Sequence, residues 1–246
     1  MESQKSDCKK AAEIRPGCRD IWNAFMVRGA EFSPNDIPIS PCTAKEIPKA
    51  LISYLDAKRE YQKRIASGQN DYRSRAFVHF YIDDYTFDGP LSGIWQRPER
   101  ALTIFRHYAG IITPDFSTYQ DFPDPLKRYN IYRMRAFGFW ASSNGISVIN
   151  NVRWGTEETW AYCWDGIPKG GIVAVGTVAS GLCHPFNRMI FERGILRLAD
   201  VIQPKGIVVY GGSSHPLWNI LRDERGIQIA AFPSQLSLVF SREGRP

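Results

Sequence analysis

The order of elements along the chain predicts an α/β fold: a three-layer α/β/α arrangement around a central, mainly parallel sheet. Three observations carry this. From Ala76 onward, short apolar runs rich in Ile and Val alternate with longer segments of helical periodicity. The runs are continuously apolar, as strands covered on both faces are. They stop at Pro, Gly, Asp or Asn, the residues that punctuate strand ends. Such alternation implies βαβ units, right-handed crossovers and parallel pairing.

Taken in order, Met1 to Ala12 is polar and lysine-rich, without the apolar stretch of a signal peptide. Arg15 to Pro48 carries Pro16, Pro34, Pro38, Pro41 and Pro48 and few periodic apolar positions, so it reads as a turn-rich arm wrapped on the outside. Thr43 and Glu46 have capping-box spacing. Leu51, Tyr54, Leu55, Tyr61 and Ile65 then continue a helix from about Ala44 to Ala66, whose other face carries Lys58, Arg59, Lys63 and Arg64. Residues 1–75 are thus expected as an arm and a helix packed on a core domain of residues 76–246.

Within that core, strands are expected at Phe77–Ile82, Gly110–Thr113, Ile146–Ile149, Gly171–Gly176, Lys205–Tyr210 and Ile227–Phe232. Helices are expected at Glu99–Tyr108, Leu126–Ser142, Phe186–Asp200 and Ser213–Asp223, with a shorter one at Glu157–Tyr162. No internal repeat or low-complexity segment interrupts the series.

Composition narrows the class. Of the 246 residues, 43% are hydrophobic and 13% aromatic, which supports a packed core and excludes global disorder. The net charge of +6 favours a polyanionic partner. Five cysteines (Cys8, Cys18, Cys42, Cys163, Cys183), an odd number without a CxxC pair, fit reduced thiols better than a disulfide framework or a zinc ribbon. A metal site of Cys8, Cys18 and Cys42 is the remaining alternative. No apolar run reaches transmembrane length. A cytoplasmic protein without membrane contact, cofactor or obligate protein partner is expected.

Candidate site residues follow from the strand ends, because ligands in open α/β sheets bind outside the carboxyl ends of strands. The Gly110 strand stops at Pro114 and delivers Asp115. The Ile146 strand hands over Asn150 and Asn151 at the same edge. Val208 to Trp218 runs from a buried strand into Gly211 and Gly212, then Ser213, Ser214 and His215, then a helix start. Backbone N–H groups at such a start favour anions, which suits phosphate contacts by Ser213 and Ser214 and a charge-stabilising His215. An ordinary serine cap with a surface histidine is the alternative. Arg128, Arg133 and Arg135, interleaved with Tyr129, Tyr132 and Phe137, read either as a track for a nucleic-acid backbone or as a solvated helix face. Trp154, Trp160 and Trp164 read as core.

Three of these pieces together resemble the uracil-DNA glycosylase superfamily. Ile112-Thr-Pro-Asp115-Phe116 is similar to its first motif, Gly145-Ile-Ser-Val-Ile-Asn150 to its second and Ser214-His215-Pro216-Leu217 to its third. The sequence departs from that pattern: the proline precedes Asp115, and Phe116 stands where a tyrosine is usual. Residues 76–212 also resemble an uncharacterised-domain family of phage, plasmid and defence-island proteins. Ile82-Asp-Asp-Tyr85, Thr113-Pro-Asp-Phe-Ser117, Ile131-Tyr-Arg133, Asn151-Val-Arg-Trp154 and Gly166-Ile-Pro168 carry that likeness, and the family includes the Brig-type anti-phage DNA glycosylase.

The resemblance implies an enzyme that removes a modified base, a glucosylated hydroxymethylcytosine, from double-stranded phage DNA as antiviral defence. Asp115 would support the cationic sugar, Asn150 and Asn151 would read the base edge, Phe116 would stack on the base or else pack in the core, and His215 would face the departing base. Two other readings stay open: a non-enzymatic nucleic-acid-binding protein of a mobile element, and a metal-dependent nuclease using Asp83, Asp84 and Asp115.

Overall fold

The computed structural model describes residues 20–91, 93–178 and 180–234, so Cys8 and Cys18 lie outside the described residues. Seven strands form one sheet: β1 (Ala50–Ser53), β2 (Ala76–His79), β3 (Gly110–Ile112), β4 (Val148–Asn151), β5 (Ile172–Gly176), β6 (Gly206–Tyr210) and β7 (Gln228–Phe232). Every neighbouring pair is parallel. Six helices connect them: α1 (Tyr54–Ala66), α2 (Asp84–Phe87), α3 (Pro98–Phe105), α4 (Asp124–Ser143), α5 (Pro185–Ile202) and α6 (Leu217–Asp223). The fold is the α/β class read from the sequence, and its parallel sheet is covered on both faces.

The short α2 was not among the expected helices, and two elements start elsewhere than expected for local reasons. The helix expected from Ala44 is two elements. Ala50 to Ser53 pairs with Ala76 to His79 as β1, and α1 starts only at Tyr54. Ser53 is the cap: its Oγ accepts from the Asp56 N–H at 3.1 Å, and Asp56 adds a negative charge in the first turn. Thr43 instead uses its Oγ1 to accept from the Val148 N–H at 2.8 Å. Helix α6 begins at Leu217 rather than Ser213, and its cap residue, Pro216, offers no side-chain hydrogen bond. β1 and α1 therefore belong to the same sheet and helical layer as everything after them.

The strand order is the chain order, β1 to β7, without the reversal that makes a switch point in doubly wound sheets. Right-handed crossovers in such an order put successive helices on one face. The register agrees. Val78, Ile111, Val148, Val173 and Ile207 point to one face, where they pack under α1, α3, α4, α5 and α6. Phe77, Ile112, Ile149, Ala174 and Val208 point to the other, where the arm lays Ala44 and Ile47 on them.

The sheet is curled. Neighbouring strands lie about 4.8 Å apart, so β2 and β6, four places apart, would be separated by about 19 Å in a flat sheet. Yet Tyr81, just past β2, stacks on Tyr210 at the end of β6 with ring centroids 4.9 Å apart. His79 approaches the same ring at 4.4 Å. Gly176 permits this: a Cβ there would stand 2.9 Å from the Tyr81 ring. The inner face is thus a trough, closed at its carboxyl end by aromatic rings.

The arm is more than a wrapping. The Thr43 and Ala44 N–H groups both donate to Val148 O, at 3.1 and 3.2 Å, and Ser40 O accepts from the buried Asn150 Nδ2 at 2.9 Å. Among the described residues, no helix is long and apolar enough to cross a membrane.

Candidate functional site

Side-chain parity along β4 decides what reaches the trough. Asn150 and Asn151 are the last two residues of the strand, so they point to opposite faces. Asn151 pairs with Ala174 and faces the trough, whereas Asn150 pairs with Val173 and faces the helices. There Asn150 Nδ2 donates to Ser40 O and to Cys42 Sγ. Its Oδ1 is buried and has no hydrogen-bond partner among the described residues. Asn150 is therefore a tie to the arm, and of the two asparagines only Asn151 faces the trough.

Asp115 is where the sequence placed it, just past the end of β3. Thr113 fixes the approach: its N–H donates to Ile149 O at 2.9 Å, and its Oγ1 accepts from the Asn151 N–H at 2.8 Å. Asp115 is buried, with 8% of its surface exposed. Its Oδ1 accepts from Asn151 Nδ2 at 2.6 Å, and its Oδ2 from an Arg153 terminal nitrogen at 2.9 Å. Tyr81 completes the network by donating from its hydroxyl to Asn151 Oδ1 at 2.9 Å.

The electrostatics follow from this packing. Burial raises the Asp115 pKa, and the Arg153 charge and the Asn151 hydrogen bond only partly offset it. Burial and the nearby Asp115 charge push the Tyr81 hydroxyl well up, so it stays a neutral donor. His79, packed beneath the rings, is pushed down to about 4 by burial and is neutral. The result is one carboxylate, one amide, one phenol and one guanidinium, desolvated together at the carboxyl end of the sheet.

Arg153 carries this network to a cavity of about 530 Å³. Loops that follow β3, β4 and β5 form its walls, with α5 closing one side. Tyr119, Asp121, Arg153, Trp154, Asn187 and Phe191 face it. Trp154 is held by α5, where Gly194 leaves the space its indole fills. It also rests against Trp164 and Phe191, at 5.7 and 5.3 Å.

The other expected site residues lie elsewhere. Phe116 is fully buried, between Phe87 and Trp95, with the Arg133 guanidinium 3.7 Å from its ring, so it stacks on no base. Arg133 is itself buried and paired with Asp88. Arg135 is fully buried and serves backbone carbonyls, donating to Asp165 O at 3.0 Å and Asn151 O at 2.9 Å. Neither arginine is available to a DNA backbone. The reason is that α4 is central and covered on most sides, so two arginines that are not on one face are both buried and satisfy carbonyls and a carboxylate. Arg128 alone of the three is not buried; it pairs with Asp124 at 2.6 Å over the Tyr162 ring.

His215 is half-buried, with its Nε2 2.9 Å from Glu192 Oε1 on α5 and its Nδ1 accepting from the Leu217 N–H. It does not line the cavity, and among the described residues no hydrogen bond or ion pair joins it to Asp115. Ser213 and Ser214 lie in the loop before it, Ser214 exposed. The convergence expected of Asp115, Asn150 and His215 is thus replaced by that of Asp115, Asn151, Arg153 and Tyr81. The signal for Arg153 was present, two residues past Asn151 and hence on the same side.

The carboxylates expected around a metal are not assembled. Asp84 holds the Ser117 N–H and hydroxyl, each at 2.9 Å. Among the described residues, no group of three or more His, Cys, Asp or Glu side chains could hold a metal ion. Cys42, Cys163 and Cys183 are free thiols. Burial raises the pKa of Cys42 and Cys163, which disfavours the thiolate that metals bind.

Residues 32–226, from the arm through α6, match the model of a domain of unknown function, DUF4417. The chain belongs to the DUF4417 family. The match contains Tyr81, Asp115, Asn151 and Arg153. The chain is also 34% identical over 199 residues to the Gene 1 protein of Mycobacterium phage D29, covering 80% of this chain and 67% of that one. It is 34% identical over 138 residues to the Gene 1 protein of Mycobacterium phage L5, covering 56% and 58%. This DUF4417 domain is therefore phage-associated through its relatives. No solved structure matches it.

Proposed function

We propose that this DUF4417 domain is a DNA glycosylase that removes a modified base, leaving an abasic site, and that its substrate is DNA met during phage infection. One observation carries the reading: a desolvated carboxylate, Asp115, held by Asn151 and Arg153 beside a cavity walled by Tyr119, Trp154 and Phe191.

The chemistry asks for these groups. Water adds to the sugar C1′ as the C1′–N bond breaks, and the base leaves with a proton. The sugar passes through a cation-like state, which a buried carboxylate stabilises most where water is excluded. Asn151 and Tyr81 fix the carboxylate in place. A guanidinium has five N–H donors; with one committed to Asp115, the rest of Arg153 can meet the negative charge that develops on the base. A base extruded from a duplex needs aromatic faces to replace its stack, which the cavity walls supply. About 530 Å³ also leaves space beyond a plain base, which suits a substituted cytosine. The phage relatives favour infection as the setting, in which removal of a modified phage base is an antiviral act.

The test is incubation with unmodified, hydroxymethylated and glucosylated phage DNA, scored for abasic sites in excess chelator. Abasic sites on a modified DNA support the reading. Strand cleavage that disappears with chelator supports a nuclease instead. A second reading has its own observation: both Asp115 oxygens are occupied, as in a structural ion pair. A non-enzymatic nucleic-acid-binding domain would then bind all three DNAs and leave every base in place.

A further inference from the structure

A second cleft, of about 540 Å³, lies at the amino-terminal end of the sheet. Its walls include Lys49, Arg75, Ala109 and Ser147, the residues immediately before β1, β2, β3 and β4, together with Lys45 from the arm. The cavity beside Arg153 opens at the other end of the same strands.

What marks this cleft is that several unpaired cations gather around one concavity. Arg64, Arg128, Arg133, Arg153 and Arg225 each face a carboxylate. Lys45, Lys49 and Arg75 are exposed, and among the described residues none of them makes an ion pair. Lys205 extends the patch, its Nζ donating to Lys45 O at 3.1 Å. Among the described residues, Glu46 is the one acidic residue lining the cleft. Three unpaired cations around one concavity hold a local positive potential that a bound anion lowers.

We propose that this cleft binds phosphodiester groups of nucleic acid, at a site separate from the cavity beside Arg153. The proposal rests on nucleic acid being the partner, as in the function above, but not on base excision. Exposed cations on flexible stems around an open cleft suit a polymer's successive phosphates better than one enclosed small anion, which needs fixed donors converging on it. Ser147 at the cleft and Val152 at the cavity are five residues apart along the β4 chain, about 17 Å at 3.3 Å per residue, so the cleft takes a different stretch of the polymer from the one at the cavity. Phosphate contacts of this kind add affinity and position without reading sequence.

The experiment is fluorescence anisotropy of the full chain on a short unmodified duplex, between about 50 and 200 mM salt. Each phosphate contact contributes roughly 0.9 to the log–log salt slope, so Lys45→Ala/Lys49→Ala/Arg75→Ala is expected to lower the slope by roughly 2 to 3. Lys45→Arg/Lys49→Arg/Arg75→Lys keeps the charge and should keep the slope. If the triple alanine variant does not fold, the three single variants carry the test, each expected to lower the slope by about one. A wild-type slope in the alanine variants overturns the proposal. So does calorimetry showing that inorganic phosphate occupies the cleft while the DNA slope is unchanged. DNA binding by the wild type without abasic sites would sink the glycosylase reading and leave this cleft standing. Excision with an unchanged slope in the triple variant would do the reverse.

Discussion

Asn150 and Asn151 show how much one residue of register changes. Both were visible as polar residues ending an apolar run, but a strand sends neighbours to opposite faces. Which of the two meets Asp115 depends on whether they follow the strand or finish it, and they finish it. Asn151→Ala should therefore abolish most base excision while the fold survives. Asn150→Ala should cost about 1–3 kcal/mol of stability, the range for disturbing a buried hydrogen-bonded group, and leave excision per folded molecule unchanged. Denaturant melts and single-turnover assays of both variants check this, and the reverse pattern would restore Asn150 to the site. Asp115 must be ionised to support a cation. Burial raises its pKa and Arg153 lowers it. Arg153→Gln should accordingly move the acid limb of the pH–rate profile to higher pH, and an unmoved limb would separate Arg153 from the reaction.

Among the elements, the long apolar runs and long helices were legible because burial on both faces and helical periodicity leave strong signals. β1 was not: four residues with one apolar pair read as part of a helix running from about Ala44 to Ala66. The inward turn of Arg133 and Arg135 was also hidden, because a basic residue on a buried helix looks in sequence like one on a wet helix. The end of β2 makes its own prediction. His79 is ordinarily near 6.5 and is pushed down to about 4 by burial. Its neutral ring contributes stability that is whole above pH 6.5 and is lost as pH falls towards 4, by about 3 kcal/mol. His79→Gln should remove that loss. Equal acid sensitivity of wild type and variant over pH 6.5 to 4 would contradict it.

At the scale of the whole molecule, parallel alternation was legible from Ala76 onward, but the curl was not. It depends on Tyr81, Tyr210 and Gly176 meeting across strands far apart in sequence. The arm was legible as proline-rich and not as part of the sheet, because its bonds to Val148 and Asn150 span about a hundred residues of chain. It follows that a chain begun at Ala76 lacks β1, α1 and the arm's hydrogen bonds, and should fail to fold. Circular dichroism of that truncation checks this, and a cooperative melt would show that residues 76–246 stand alone. The central claim concerns Asp115. Asp115→Asn keeps the shape and the Asn151 contact but removes the charge that faces the sugar cation. Its single-turnover rate of abasic-site formation on the modified phage DNA from which the wild type excises bases should fall by roughly 10²–10³, as for loss of a principal electrostatic stabiliser, with DNA affinity little changed. A variant that excises at the wild-type rate would contradict the account.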